Sequence, residues 1–184
     1  ARHLLGLGRP VGLDPVLVTR VGKDVRGGVM MDALRDMGLS IDGIQQDLLH
    51  PTGQVLVTMN SESGGHQFEI VPDQAWDFIH ADMARLIGLL YRPQWIYFGT
   101  LAQRAASKTA LRTLMLATHA RGFFDINLRD PWLRKDVLRW SLDKAEVVKV
   151  NEEELHRIAE LLGIRRATSE VLGERLIRAF GIRQ

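Results

Sequence analysis

The sequence predicts an α/β fold: a mainly parallel sheet covered by helices on both faces, with a β-hairpin standing apart from it. Three observations predict it. From Pro72 onward, short apolar runs alternate with amphipathic segments of helix length, the pattern of a parallel sheet joined by crossover helices. Between 41 and 71 the period changes to two, with turn residues at 61–65. The composition, 46% hydrophobic and 25% charged over 184 residues, suits one globular domain with a real core.

The elements follow in order. Residues 1–8 have the leucine spacing of a helix stopped by Gly8, without an N-cap or initiator methionine before it. Residues 15–21 form a β-rich run closed by Gly22, and Asp24 caps a helix over 25–37 that stops at Gly38. In the hairpin, Val55, Val57 and Met59 alternate with smaller or polar residues, and 67–71 returns as the second strand. The segment 41–71 is therefore expected to be an excursion from a single domain spanning 1–184. Further strands are expected at 94–98, 122–126 and 146–150, and helices at 81–90, 107–121, 131–142, 151–162 and 169–180. The runs Trp95 to Phe98 and Val147 to Val150 are nearly all apolar, as strands buried on both faces should be. Residues 181–184 read as the approach to another strand, so both ends are expected to be cuts.

Composition also excludes function classes. Twenty-four Lys and Arg stand against twenty-two Asp and Glu, a net charge of +2, and the basic residues are scattered. Nucleic-acid binding needs a concentrated basic face, so none is expected. No apolar run approaches the ~20 residues that span a bilayer, so no membrane association is expected. Cysteine is absent, which removes disulfides and thiolate metal sites and fits a cytoplasmic setting. The six histidines have no metal-ligand spacing, and no Ser, His and Asp order suggests a hydrolase.

In an open α/β sheet, ligands bind beyond the carboxyl ends of the strands. Three segments there are polar or Gly-containing: Gly99-Thr100-Leu101-Ala102-Gln103-Arg104, Asp125-Ile126-Asn127-Leu128-Arg129 and Asn151-Glu152-Glu153-Glu154. Asn151 with Glu154 three residues on has the spacing of a capping box, which by itself explains both residues. The same helix N-terminus can organise phosphate, with Glu154 holding water on magnesium. Asp125, Asn127 and Arg129 alternate, so all three are expected on one face, either as a polar anchor or as an internal Asp–Arg pair with Asn127 capping the turn. Gln103 and Arg104 either reach the same crevice or lie in a solvated loop.

These pieces, in this order, resemble the PfkB sugar kinases. Val21-Gly22-Lys23-Asp24-Val25-Arg26-Gly27, Pro51-Thr52-Gly53 at the hairpin head, Phe98 to Arg104, Asp125 to Arg129, and Val148 to Leu155 look like successive family landmarks. The Gly-Thr-Leu-Ala-Gln-Arg loop, with Asn-Leu-Arg ahead of Trp132, is most similar to the fructokinase branch. The resemblance implies a ribokinase-like three-layer α/β sandwich with a small β lid, incomplete at both ends. It implies transfer of phosphate from ATP to a sugar hydroxyl. It assigns Thr52, Gly53, Gln103, Arg104 and Asn127 to the sugar, Arg129 and Asn151 to the nucleotide phosphates, and Glu154 to water-mediated magnesium. It also implies that the catalytic base lies beyond Gln184, so that this stretch alone is inactive. An exposed lid face is expected to pair two copies, since a lone hairpin is marginal and open strand edges invite partners. A non-catalytic sugar- or nucleotide-binding protein on the same scaffold is the alternative; a Rossmann-type protein is disfavoured because the glycine fingerprint is absent.

Overall fold

A computed structural model describes residues 12–59, 66–129 and 132–184. The expected helix at 1–8 lies outside them. The chain divides into two compact units, Ala1–Ile87 with Ala105–Ala110, and Gly88–Arg104 with Leu111–Gln184.

In the first unit, β1 (Thr19–Gly22) pairs in parallel with β2 (Ile44–Asp47), from Thr19 opposite Ile44 to Gly22 opposite Asp47. Between them α1 (Val25–Asp36) packs Leu34 with Leu39 against Leu17, Met30, Met37, Ile41 and Ile44. The antiparallel pair β3 (Val55–Met59) and β4 (His66–Ile70) follows, with Val55 opposite Ile70. The interval 41–71 is thus not hairpin throughout. Its first strand, β2, pairs in parallel with β1, reached through the α1 crossover, as parallel partners require. The hairpin is a separate two-stranded sheet, and every residue of β3 is exposed.

A tight polar knot fixes the start of α1. The Asp24 carboxylate accepts from the Gly27 amide at 2.8 Å, as an N-cap, and from the Thr52 amide at 2.8 Å and Thr52 hydroxyl at 2.7 Å. The Gly22 amide in turn donates to Thr52 Oγ1 at 3.0 Å. Glycine is required here: a Cβ on Gly27 would lie 2.1 Å from the Gly22 carbonyl oxygen. Nearby, buried Asp47 accepts from the Leu49 and His50 amides at 2.8 and 3.1 Å and forms an ion pair with Arg20 at 2.9 Å.

The second unit holds three parallel strands in the order β5 (Trp95–Gly99), β6 (Arg121–Asp125), β7 (Ala145–Lys149). Helix α2 (Ala81–Tyr91) leads into β5, α3 (Ser107–Thr118) joins β5 to β6, and α4 (Lys135–Lys144) joins β6 to β7; α5 (Glu152–Leu162) and α6 (Ser169–Phe180) follow. Phe98 and Phe124 stack at 5.2 Å, and Phe124, Ile126, Leu138, Leu142 and Ile158 are essentially solvent-free. The expectation that β5 is buried on both faces fails. Ile96 and Phe98 are buried, whereas Trp95 and Tyr97 are exposed. Each outer ring has a polar engagement instead, Trp95 under the Arg121 guanidinium at 4.1 Å and Tyr97 through its hydroxyl to Asp125. Helix α4 starts at Lys135, later than the expected 131, because Arg134 is still extended at φ −118°.

Two predictions follow from this packing. Leu138→Ala removes a side chain with no exposure and is expected to cost about 2–5 kcal/mol in urea unfolding, while Leu56→Ala on the exposed hairpin costs well under that. The second concerns acid. The Asp24 carboxyl is lowered to about 2, first by the Thr52 amide, then by the Gly27 amide and the Thr52 hydroxyl. Burial works to raise Asp47, but the two amides, His50 and Arg20 outweigh it and hold the group below its ordinary value. Depressed carboxyls stabilise the fold above their unfolded pKa and lose that contribution as pH falls through the folded one. Stability in urea is therefore expected to be level above about pH 5 and to decline toward pH 2. Asp24→Asn should flatten the decline; an unchanged acid profile in that variant would exclude the knot as its source.

Candidate functional site

At the carboxyl ends of β6 and β7 the second unit has a crevice of about 350 Å³, lined by Asp125, Asn127, Lys149, Val150, Asn151 and Glu154. Parallel register puts Asp125 directly opposite Lys149. The Lys149 ammonium donates to both Asp125 oxygens, at 2.9 and 3.0 Å, and the Tyr97 hydroxyl donates to Asp125 Oδ2. Burial works to raise the Asp125 pKa, but the bonds from Tyr97 and Lys149 and the lysine charge outweigh it and keep the group below its usual range. The Tyr97 phenol is pushed up to about 12, first by desolvation, then by its bond to Asp125 and that carboxylate's charge. It stays a proton donor at neutral pH.

The other wall is the start of α5. Asn151 caps the helix, its Oδ1 accepting from the Glu154 amide at 2.8 Å, while Glu154 Oε2 accepts from the Asn151 amide at 3.0 Å. The box predicted from the spacing is present. Glu154 does more than close it: its Oε1 accepts from the Leu128 amide at 3.1 Å, tying the helix to the loop after β6. In that loop Asn127 takes a left-handed conformation, φ 39°, and the buried Thr100 hydroxyl lies 2.9 and 3.0 Å from the Ile126 and Asn127 carbonyls. Glu152, Glu153 and Glu154 fill the first turn, where the helix dipole favours acids.

Of the residues expected at the site, Asn127, Asn151 and Glu154 line the crevice together. Arg129 does not line it; its Nη1 donates to the Leu128 carbonyl at 2.9 Å, and the expected Asp125–Arg129 alternative gives way to Asp125–Lys149. Gln103 and Arg104 are buried, which corrects the solvated-loop alternative. Gln103 Nε2 donates to Ser141 at 2.7 Å, whose hydroxyl is itself spent on Val137, while Gln103 Oε1 meets no donor among the described residues. Arg104 lies over the Trp132 ring at 4.3 Å. Thr52 and Gly53 belong to the first unit. The Thr52 hydroxyl is engaged by Asp24, and a Cβ on Gly53 would lie 2.2 Å from the Trp76 ring. Lys149 was not singled out from the sequence. Its signal was a charge closing an apolar strand, two residues before the helix cap.

A sequence profile described as pfkB family carbohydrate kinase matches residues 6–180. Fructokinase of Escherichia coli is 33% identical over 168 residues, covering 86% of this chain and 53% of that protein. The chain therefore spans about half the length of this relative. Fructokinase from Vibrio cholerae O395, in apo form, superposes with a TM-score of 0.77 at 22% identity, over 98% of this chain and 62% of that one. Fructokinase with bound ATP from Xylella fastidiosa gives 0.75 at 20% identity, over 96% and 56%. Likeness at these identities establishes a ribokinase-like α/β fold. Since the family profile runs through nearly all of the sequence, the chain belongs to the pfkB family of carbohydrate kinases.

Proposed function

We propose that the protein is part of an ATP-dependent kinase that phosphorylates a hydroxyl of a fructose-like sugar in the cytoplasm. The observation that carries the reading is the crevice itself: a helix N-terminus capped by Asn151 and Glu154, at the carboxyl ends of parallel strands, is where phosphate groups are held in such sheets. The relatives support the substrates, since one is a fructokinase by sequence and another is a fructokinase with bound ATP.

In this reading Asn151 and the first turn of α5 receive the phosphates, and Arg129, exposed beside the crevice, turns from the Leu128 carbonyl to join them. Asn127 faces the sugar. Gln103 and Arg104, which do not line the crevice, are also assigned to the sugar in this reading, the buried Gln103 carbonyl keeping an unmet acceptor. Thr52 and Gly53, in the first unit, stay assigned to the sugar in this reading, the Thr52 hydroxyl being already engaged by Asp24.

Magnesium fits the donor set. Among the described residues no three His, Asp or Glu side chains gather into a direct metal cage. Glu154, with one amide on each oxygen, keeps lone pairs for water, the way magnesium prefers to be held beside phosphate. Bound there, the ion would neutralise triphosphate charge.

Glu154→Gln tests this role: it removes the charge, and its single amide oxygen keeps only one of the two backbone amides that the carboxylate holds, so stability is measured beside turnover. In the whole enzyme, a coupled ADP-release assay with fructose is expected to show magnesium-dependent turnover falling about 10–100-fold, with a stability loss of about 1–3 kcal/mol from the one amide bond lost, too small to unfold the enzyme under assay conditions. Losses of activity and stability that run in parallel would return Glu154 to capping alone. MgATP binding without fructose-dependent turnover would favour the non-catalytic alternative.

We further propose that the hairpin pairs with that of a second copy. Val55, Leu56, Val57 and Met59 are 46–73% exposed, and Phe68 on β4 is 64% exposed. A two-stranded hairpin is marginal alone, and its open edges accept another strand. Sedimentation should find a dimer that Val57→Lys dissociates; a monomer at all concentrations would contradict the pairing.

A further inference from the structure

The family reading above assigns Lys149 no role, yet among the described residues it is the one cation lining the crevice. It belongs to a row across three strands. Asp125 and Lys149 are register partners, and Tyr97 is opposite Phe123, two residues before Asp125 and so on the same face. The row ends at the carboxyl edge, where the crevice opens.

The groups around the crevice differ in how freely they can move. Glu154 has a backbone amide on each oxygen, and Asn151 Oδ1 is held by the Glu154 amide. Moving either opens a loop or uncaps a helix. Among the described residues Lys149 is bound through the Asp125 carboxylate alone, its side chain is 66% exposed, and it has a flexible four-carbon stem. Asp125 is the less exposed partner at 18%, but the lysine end stands in solvent, where the ammonium can exchange partners at low cost. When the ammonium leaves, Asp125 still keeps the Tyr97 hydroxyl, which remains protonated.

We infer that Lys149 is a phosphate-positioning residue, held ready on Asp125 and exchanged onto a phosphate oxygen of the ligand when the crevice fills, with Tyr97 keeping Asp125 hydrogen-bonded during the exchange. This deepens the proposed function and rests on the crevice being a phosphate site. The exchange swaps one charge-assisted hydrogen bond for another, and no proton moves. A purely structural cross-strand pair would have the same geometry but a different response to mutation. Removing either partner of such a pair lowers stability and leaves phosphate binding alike in both variants. In the exchange, Asp125 competes with the ligand for Lys149, so the two substitutions act on binding with opposite sign.

The test is calorimetric titration of the chain with magnesium tripolyphosphate, MgATP, fructose 6-phosphate and adenosine, beside urea unfolding of each variant. Lys149→Met is expected to weaken the phosphate ligands about tenfold or more and to leave adenosine unchanged. Lys149→Arg should recover most of the loss. Asp125→Asn should tighten phosphate binding, and Tyr97→Phe should weaken it a few-fold. A Lys149→Met loss confined to the polyphosphates supports contact with the nucleotide, and one confined to fructose 6-phosphate supports contact with the phosphorylated sugar. Phosphate binding by the unaltered chain that Lys149→Met leaves unchanged, or that Asp125→Asn and Lys149→Met weaken equally, overturns this inference and spares the proposed function. No phosphate binding by the unaltered chain overturns both.

Discussion

The carboxylate of Glu154 joins the two sides of the crevice. A helix start and a loop leaving a strand both present backbone amides with no partner in their own element. Glu154 takes one from each, Asn151 N on its own helix and Leu128 N on the loop after β6. Without it the loop carrying Asn127 and Arg129 would lose its tie to α5, and the crevice would lose a wall. Capping and ligand handling are therefore not rival accounts of this residue. The two hydrogen bonds fix where its charge sits and leave each oxygen room for one more partner.

The first unit repeats the solution with different acids. Asp24 collects the Gly27 and Thr52 amides, and Asp47 collects those of Leu49 and His50. Carboxylates at strand ends thus serve first to satisfy the chain where it leaves regular structure. An acid there is a weak pointer to chemistry. The better pointer is the capacity a side chain has left once these bonds are counted, which is small for Thr52 and larger for Lys149 and Arg129.

Much of this was legible in the sequence where the signal is local. The Asn151–Glu154 spacing, the Asp24 cap and the strand runs at β5, β6 and β7 depend on residues within one or two turns of each other. What was missed depends on partners far along the chain. Strand β2 reads Ile-Gln-Gln-Asp, too polar to suggest a strand. Gln45 is spent on His80, 35 residues away, and Asp47 on Arg20. The Asp125–Lys149 pair exists through a register that periodicity cannot supply. Tyr97 and Trp95 misled through their apolar character, since each keeps a polar end in use on an outer face.

The hairpin shows where local reading stops. Its alternation was visible, and alternation ordinarily means one buried face, yet β3 has none in this chain. Burial therefore cannot be what sets the register of β3 against β4. Register is set at the root instead: Val71 N donates to the Gln54 carbonyl at 3.1 Å, Gly53 lies flat against Trp76, and Thr52 is held in the Asp24 knot. A slip of one residue would have to break these bonds before it moved any side chain to the other face. The root thus delivers an apolar strand in a defined register to whatever surface covers it, which makes Asp24, outside the hairpin, one of the residues on which its order depends.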